Sequence, residues 1–275
     1  MDTFAHDGFT FDLDDYGPPD GDAFVLLHGW PQSRASFTDV APLLADAGYR
    51  VLVPDQRGYS PGARPKQRRA YKLPTLGNDI VALLDAAGVA RAHIVGHDWG
   101  GAVAWELAAN HADRVTTMTS LATPHPSAMV KAMVRGTQGL KSGYMLFFQL
   151  PVLPEMGFGI ARRPMRRVLL RSGMPEEYLD EYMALLGQKG GARGAFNYYR
   201  ALPLSRPGGV GPIAVPTMYI YGTDDVALGR KAADLTADYC NGPYRYEVMD
   251  GVSHWIPEEI PEIVAKLLLD FIASP

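Results

Sequence analysis

The sequence contains one cysteine, Cys240, among its 275 residues. A single thiol excludes both an intramolecular disulfide and a cysteine-based metal cluster. We expect Cys240 to pack as a small apolar residue. The chain has the length of one domain, or of a core with an insertion, and can bury a large hydrophobic centre.

The sequence also lacks a large excess of either charge, a long apolar run and a targeting segment. The formal net charge of -4 gives no electrostatic reason to bind nucleic acid or an anionic membrane. No apolar run approaches the ~20 residues of a membrane-spanning helix. The stretch 1–4 is acidic and does not lead from a cationic region into an apolar one, as a signal peptide would. These absences predict a cytoplasmic protein without nucleic-acid or membrane partners, either a monomer or a homodimer.

Strand and helix patterns alternate along most of the chain, which is typical of a mostly parallel sheet between helices. Strands are predicted at 9–16, 23–27, 50–53, 92–95, 115–121, 217–221 and 244–248. Helices are predicted near 36–47, 76–87, 102–110, 228–239 and 261–272. The sequence therefore predicts the α/β fold class.

Residues 123–206 interrupt this alternation, with three short helical patterns, loops rich in Gly and Pro, and no strand pattern. We predict a core of residues 1–122 and 207–275, with 123–206 inserted after the sixth strand. Such an insertion lies over the strand ends where open α/β sheets bind ligands, so it is expected to be a helical lid. Its many methionines indicate a deformable apolar ceiling, or simply the packing of lid helices on the core.

The sequence Gly96-His97-Asp98-Trp99-Gly100-Gly101 directly follows the strand predicted at 92–95. This is the glycine-flanked pattern of a nucleophile elbow, which holds one side chain above an α/β sheet. The nucleophile position holds Asp98, a carboxylate with an ordinary pKa of about 3.9. A carboxylate is a weak nucleophile toward esters and amides but suits attack on an sp³ carbon, forming an alkyl ester. Epoxides and haloalkanes are therefore the candidate substrates.

An acid and a histidine follow the nucleophile in the chain order of hydrolases that use an elbow. His254 lies on a short loop after the last predicted strand and is the candidate general base. Asp225 follows the strand predicted at 217–221 and would orient His254. Asp224 is the competing assignment, with capping of the turn as its structural role.

Two main-chain N–H groups are candidates for an oxyanion hole. The motif His28-Gly29-Trp30-Pro31 ends the strand predicted at 23–27. The N–H of Trp30 and that of Trp99 could together stabilise negative charge on an oxygen.

Together these motifs resemble the α/β-hydrolase superfamily over essentially the whole chain. The pair Asp98-Trp99 resembles the branch of epoxide hydrolases and haloalkane dehalogenases. Two lid segments are similar to those carrying the epoxide hydrolase tyrosines: 143–151 with Tyr144, and 197–200 with Tyr199. The resemblance implies that both phenols protonate the epoxide oxygen as the ring opens. A substrate pocket is expected from Trp30, Trp99, His125, Met145, Phe148 and Tyr198.

We therefore predict an epoxide hydrolase that uses water to convert a small hydrophobic epoxide to a vicinal diol, without cofactor or metal. A haloalkane or haloacid dehalogenase would share Asp98, His254 and Asp225, but its halide needs indole N–H donors and the lid contains no tryptophan. A hydrolase-fold protein that binds a hydrophobic ligand with little turnover is the third hypothesis.

Five arginines cluster in the predicted lid: Arg162, Arg163, Arg166, Arg167 and Arg171. They could attract an anionic substrate. We favour a solvated face on which they pair with the acidic side chains of residues 176–181.

Overall fold

The structure, a computed structural model, describes residues 1–135, 143–204 and 209–274. Its centre is one eight-stranded sheet in the order β1-β2-β4-β3-β5-β6-β7-β8. The strands are β1 Thr3–His6, β2 Phe9–Tyr16, β3 Ala23–Leu27, β4 Arg50–Pro54, β5 Ala92–His97, β6 Val115–Leu121, β7 Thr217–Gly222 and β8 Tyr244–Met249. β2 is antiparallel to both β1 and β4, and all other neighbouring strands are parallel.

The central strands are buried along their whole length, as expected for parallel strands covered on both faces. Six α-helices belong to the core: α1 Val40–Asp46, α2 Leu73–Ala86, α3 Trp99–Asn110, α9 Arg230–Asp234, α10 Ile256–Glu259 and α11 Pro261–Ala273. Apolar side chains of α2 and α3 pack together on one face of the sheet. Those of α1 and α11 form the core on the other face. This architecture confirms the predicted fold class.

Five further α-helices lie between β6 and β7 in the described part of the chain, where the sequence predicted three. They are α4 Pro126–Arg135, α5 Tyr144–Phe148, α6 Arg162–Arg171, α7 Glu176–Gly187 and α8 Gly191–Ala201. Short 3₁₀ segments occur at Arg34–Phe37, Arg68–Tyr71, Ala112–Arg114, Pro154–Phe158, Leu202–Leu204 and Leu235–Tyr239. Among the helices that the structure describes, none is long and apolar enough to cross a membrane.

The arginines of α6 form a mostly exposed face, as we favoured, but their pairing with acidic side chains is less extensive than expected. Arg166 contacts Glu176 at 2.6 Å and Asp180 at 2.8 Å. The other four arginines are exposed and form no ion pair within the described residues. In the part of the chain that the structure describes, pairing therefore involves one of the five side chains.

Candidate active site

The backbone turns sharply at Asp98, between the end of β5 and the start of α3. Asp98 has a φ of 49°, an uncommon conformation for a residue with a side chain. A Cβ at position 96 would lie 2.1 Å from the Gly100 carbonyl oxygen, and one at position 100 would lie 2.0 Å from that of Leu27. Both positions therefore require glycine. The Thr123 hydroxyl donates to the Asp98 carbonyl at 2.7 Å and supports the turn.

Asp98, Asp225 and His254 meet at the carboxyl edge of the sheet. His254 Nδ1 lies 2.7 Å from Asp225 Oδ2, and its Nε2 lies 3.7 Å from Asp98 Oδ2. The main-chain N–H groups of Ala227 and Leu228 each donate to Asp225 Oδ1 at 2.7 Å. Asp225 is 3% exposed and His254 is 5% exposed. The structure thus brings together the three side chains singled out from the sequence.

Asp224 is exposed in the same turn, where the Thr223 hydroxyl donates to its Oδ1 at 3.5 Å. The described contacts place Asp225 rather than Asp224 against His254. This geometry favours Asp225 as the orienting acid.

The charges of the three groups stabilise one another. Burial alone would lower the pKa of His254, but Asp225 and Asp98 raise it to about 10. Burial would raise the pKa of Asp98, but contacts with His254, His97 and the Trp30 N–H hold it below its usual range. The resting site therefore contains an anionic Asp98 beside a cationic His254.

A main-chain donor lies against the other oxygen of Asp98. The Trp30 N–H donates to Asp98 Oδ1 at 2.7 Å. This close approach needs glycine at position 29, where a Cβ would lie 2.3 Å from the Asp98 Cβ. Trp99 is the first residue of α3, so its N–H has no acceptor within the helix. Its role as the second oxyanion donor remains a prediction.

Aromatic side chains of the inserted helices form a wall beside the nucleophile. The Tyr199 ring centroid lies 5.1 Å from that of Trp99 and 6.1 Å from that of Trp30. Phe148 packs against Trp30 at 5.2 Å and against Tyr199 at 4.9 Å. Met145 is partly buried against the same core cluster. The side chain of Tyr144 lies outside the described residues.

Tyr198 and His125 differ in their relation to this site. The Tyr198 ring lies 5.3 Å from that of Trp99, while its hydroxyl donates to the Arg57 carbonyl at 2.8 Å, so it also anchors α8. His125 is 0% exposed and stacks on Tyr239 at a centroid distance of 4.7 Å. Its imidazole nitrogens contact main-chain groups of residues 127 and 211. These contacts hold the His125 side chain inside the fold, and its role in the substrate pocket stays a prediction.

Three buried polar residues adjoin the site and were given no role from the sequence: Gln32, His97 and Glu258. All three lie close in sequence to the motifs identified above, which was a signal that they could have a role. No sequence pattern indicated that they would pair with one another across the fold. Among the described residues, no group of three His, Cys, Asp or Glu side chains could hold a metal ion.

The chain is similar in sequence and in structure to known proteins of one family. A family model described as alpha/beta hydrolase fold matches residues 22–261. Epoxide hydrolase A of Mycobacterium tuberculosis is 34% identical, over 94% of this chain and 92% of that protein. An AB hydrolase superfamily protein of Bacillus subtilis is 35% identical, over 97% and 96% of the two chains. The crystal structure of epoxide hydrolase A from Mycobacterium thermoresistibile matches with a TM-score of 0.87 and 28% identity, covering 99% of this chain and 97% of that one.

Proposed function

The chain belongs to the alpha/beta hydrolase fold family and to its epoxide hydrolases, and we propose that it hydrolyses epoxides through a covalent ester on Asp98. The observation that carries this mechanism is the different surroundings of the two Asp98 oxygens. Oδ1 accepts from the Trp30 N–H, while Oδ2 faces His254 Nε2 at 3.7 Å. One oxygen is therefore placed in a donor site and the other is available for attack.

In the first step, Asp98 Oδ2 attacks an epoxide carbon from the side opposite its carbon–oxygen bond. That bond breaks, and the departing alkoxide takes a proton from Tyr199 or Tyr144 in the inserted segment. Even from a strained ring, an alkoxide leaves poorly without such a donor, because its negative charge would otherwise develop in an apolar site. The product of this step is a hydroxyalkyl ester of Asp98.

In the second step, water attacks the ester carbonyl carbon of Asp98. His254 Nε2 accepts the water proton, while Asp225 holds the opposite ring nitrogen as a donor. The negative charge moves to Oδ1, where the Trp30 N–H already donates and the Trp99 N–H is the second expected donor. The bond between the carbonyl carbon and Oδ2 then breaks, His254 returns its proton to Oδ2, and the vicinal diol leaves with that oxygen. The remaining water proton is lost from the regenerated Asp98 carboxyl, and the tyrosinate regains a proton through solvent.

The substrate class follows from the walls of the site. We treat residues 123–206 as a lid whose aromatic groups, Phe148 and Tyr199 among them, pack over the core residues Trp30 and Trp99. Such walls favour a small hydrophobic epoxide over a polar substrate. The named relatives favour epoxide over haloalkane chemistry for the shared Asp98 and His254.

A single turnover in ¹⁸O-labelled water tests the ester mechanism. Enzyme in excess over styrene oxide, a hydrophobic probe epoxide, should give an unlabelled diol and one label in the peptide containing Asp98. Label in the diol after that first turnover would contradict the ester. In His254→Gln, ester hydrolysis should slow, and intact mass should rise by one whole epoxide. Asp98→Asn is the matched control and should gain nothing.

A further inference from the structure

A buried carboxyl group, Glu258, lies behind the base and is not used by the mechanism above. Its Oε1 accepts from the amide of Gln32 at 2.6 Å and from the hydroxyl of Tyr182 at 2.9 Å. Its Oε2 is buried and has no hydrogen-bond partner among the described residues. Burial raises the pKa of Glu258 to about 7. An unpaired buried carboxyl oxygen destabilises a fold, so packing alone does not account for this residue.

The Gln32 side chain connects this carboxyl to the two loops of the active site. Its Oε1 accepts from the Gly29 N–H at 2.7 Å, next to the Trp30 N–H that holds Asp98. The same Oε1 lies 2.8 Å from His97 Nδ1. Since the Gly29 N–H can only donate, it fixes the amide with its oxygen toward His97.

His97 continues the connection to the base. Its Nε2 lies 2.8 Å from the His254 carbonyl oxygen, and its ring is fully buried. Both ring nitrogens thus face oxygen acceptors, whereas a neutral imidazole has one N–H to donate. Burial and the charge of His254 lower the pKa of His97 to about 3, so the ring is neutral and carries one N–H. The ring therefore lies between the Gln32 side chain and the His254 main chain, which it connects.

We infer that Glu258 is a positioning residue for ester hydrolysis: through Gln32 and His97 it holds the His254 main chain, and through Tyr182 it ties that main chain to α7. This inference rests on the proposed ester mechanism. The connection reaches the Trp30 loop and His254, which act when water attacks the ester. Within the described residues, Glu258 and Gln32 form no hydrogen bond with Asp98, whose Oδ2 attacks when the epoxide opens. Loss of the connection should therefore slow the second step selectively.

Rapid-mixing experiments on Glu258→Leu, which removes the acceptor for both Gln32 and Tyr182, measure the two steps separately with styrene oxide as the probe. We expect ester hydrolysis to slow about tenfold, because small displacements of a base are costly, with alkylation within about twofold of wild type. Glu262→Gln, an exposed change on α11, is the control and should alter neither rate. Equal slowing of both steps, or of neither, would overturn the inference. Absence of any ester in the wild type would instead overturn the proposed mechanism and this inference with it.

Two further variants separate positioning from general stability. Glu258→Gln is the conservative variant, because its amide oxygen can still accept from Gln32 and Tyr182, so ester hydrolysis should recover relative to Glu258→Leu. Tyr182→Phe should slow hydrolysis several-fold. Tyr178→Phe is its control, because the Tyr178 hydroxyl also links α7 to the core, by a hydrogen bond to Asp39. Failure of Glu258→Gln to restore the rate, or equal effects of the two tyrosine changes, would refute the positioning role.

Discussion

Replacing Asp225 by asparagine gives the sharpest test of the site, because the surroundings of Asp225 dictate how the new amide is oriented. Oδ1 of Asp225 accepts from the N–H groups of Ala227 and Leu228, each at 2.7 Å. An amide nitrogen cannot accept these two bonds, so the asparagine oxygen must occupy this position. Its NH₂ group then faces Nδ1 of His254, which Asp225 Oδ2 contacts at 2.7 Å.

That orientation reverses the hydrogen bonding of His254. Nδ1 must become an acceptor, which leaves the ring proton on Nε2, the nitrogen that faces Asp98. A ring in this form cannot take a proton from water. The same replacement in a serine protease triad lowers kcat by about 10⁴, so we expect ester hydrolysis to fall by about 10³ to 10⁴. Alkylation should change far less, since the Asp98 carboxylate needs no base to attack.

The assay is the intact mass of Asp225→Asn sampled over time after mixing with styrene oxide. We expect a whole-epoxide adduct to appear at a rate near that of wild-type alkylation and to persist. Asp224→Asn, one residue away and exposed, is the control and should turn over without accumulating the adduct. Wild-type turnover by Asp225→Asn would refute the reasoning, and an adduct in Asp224→Asn alone would transfer the role to Asp224.

Three other predictions follow from described contacts. Asp98→Asn removes one of the two charges that raise the pKa of His254 to about 10, so an NMR titration should find a lower pKa. An unchanged pKa would show that the Asp98 charge does not act on His254. Tyr199→Phe should slow alkylation by on the order of 10²-fold in rapid mixing, whereas an unaltered rate would remove Tyr199 as a proton donor. Asp79→Asn leaves the buried guanidinium of Arg57 poorly paired, so urea unfolding should show a loss of about 3 kcal/mol; an unchanged midpoint would refute this estimate.

The sequence predicted the central strands well because their signals are local. Short apolar runs between turn residues identify buried parallel strands, and β3 lies at the predicted 23–27. β1 was not predicted, since it has four residues and Phe4 alone is buried. The helix predicted at 228–239 is instead α9 followed by a 3₁₀ turn, because apolar periodicity does not distinguish the two well over such short lengths.

The site was predictable where chain order decides it and unpredictable where packing does. Residues that follow parallel strands must gather at one edge of the sheet, so Asp98, Asp225 and His254 could be grouped from the sequence. The bond from Gln32 to Glu258 joins residues 226 positions apart. No local pattern encodes such a pair. Residue type alone also could not show that His125 would stack on the Tyr239 ring.

The charges around His254 also suggest why the two chemical steps occur in order. Asp98 and Asp225 together raise its pKa to about 10, so the resting ring is protonated near neutral pH and cannot act as a base. Esterification neutralises Asp98 and removes one of those two charges. The pKa of His254 must then fall, which makes the neutral base available only after the ester exists. In the proposed mechanism, Asp98 therefore attacks as a carboxylate. Once Asp98 is alkylated, its charge no longer holds His254 protonated, and His254 can act as the base.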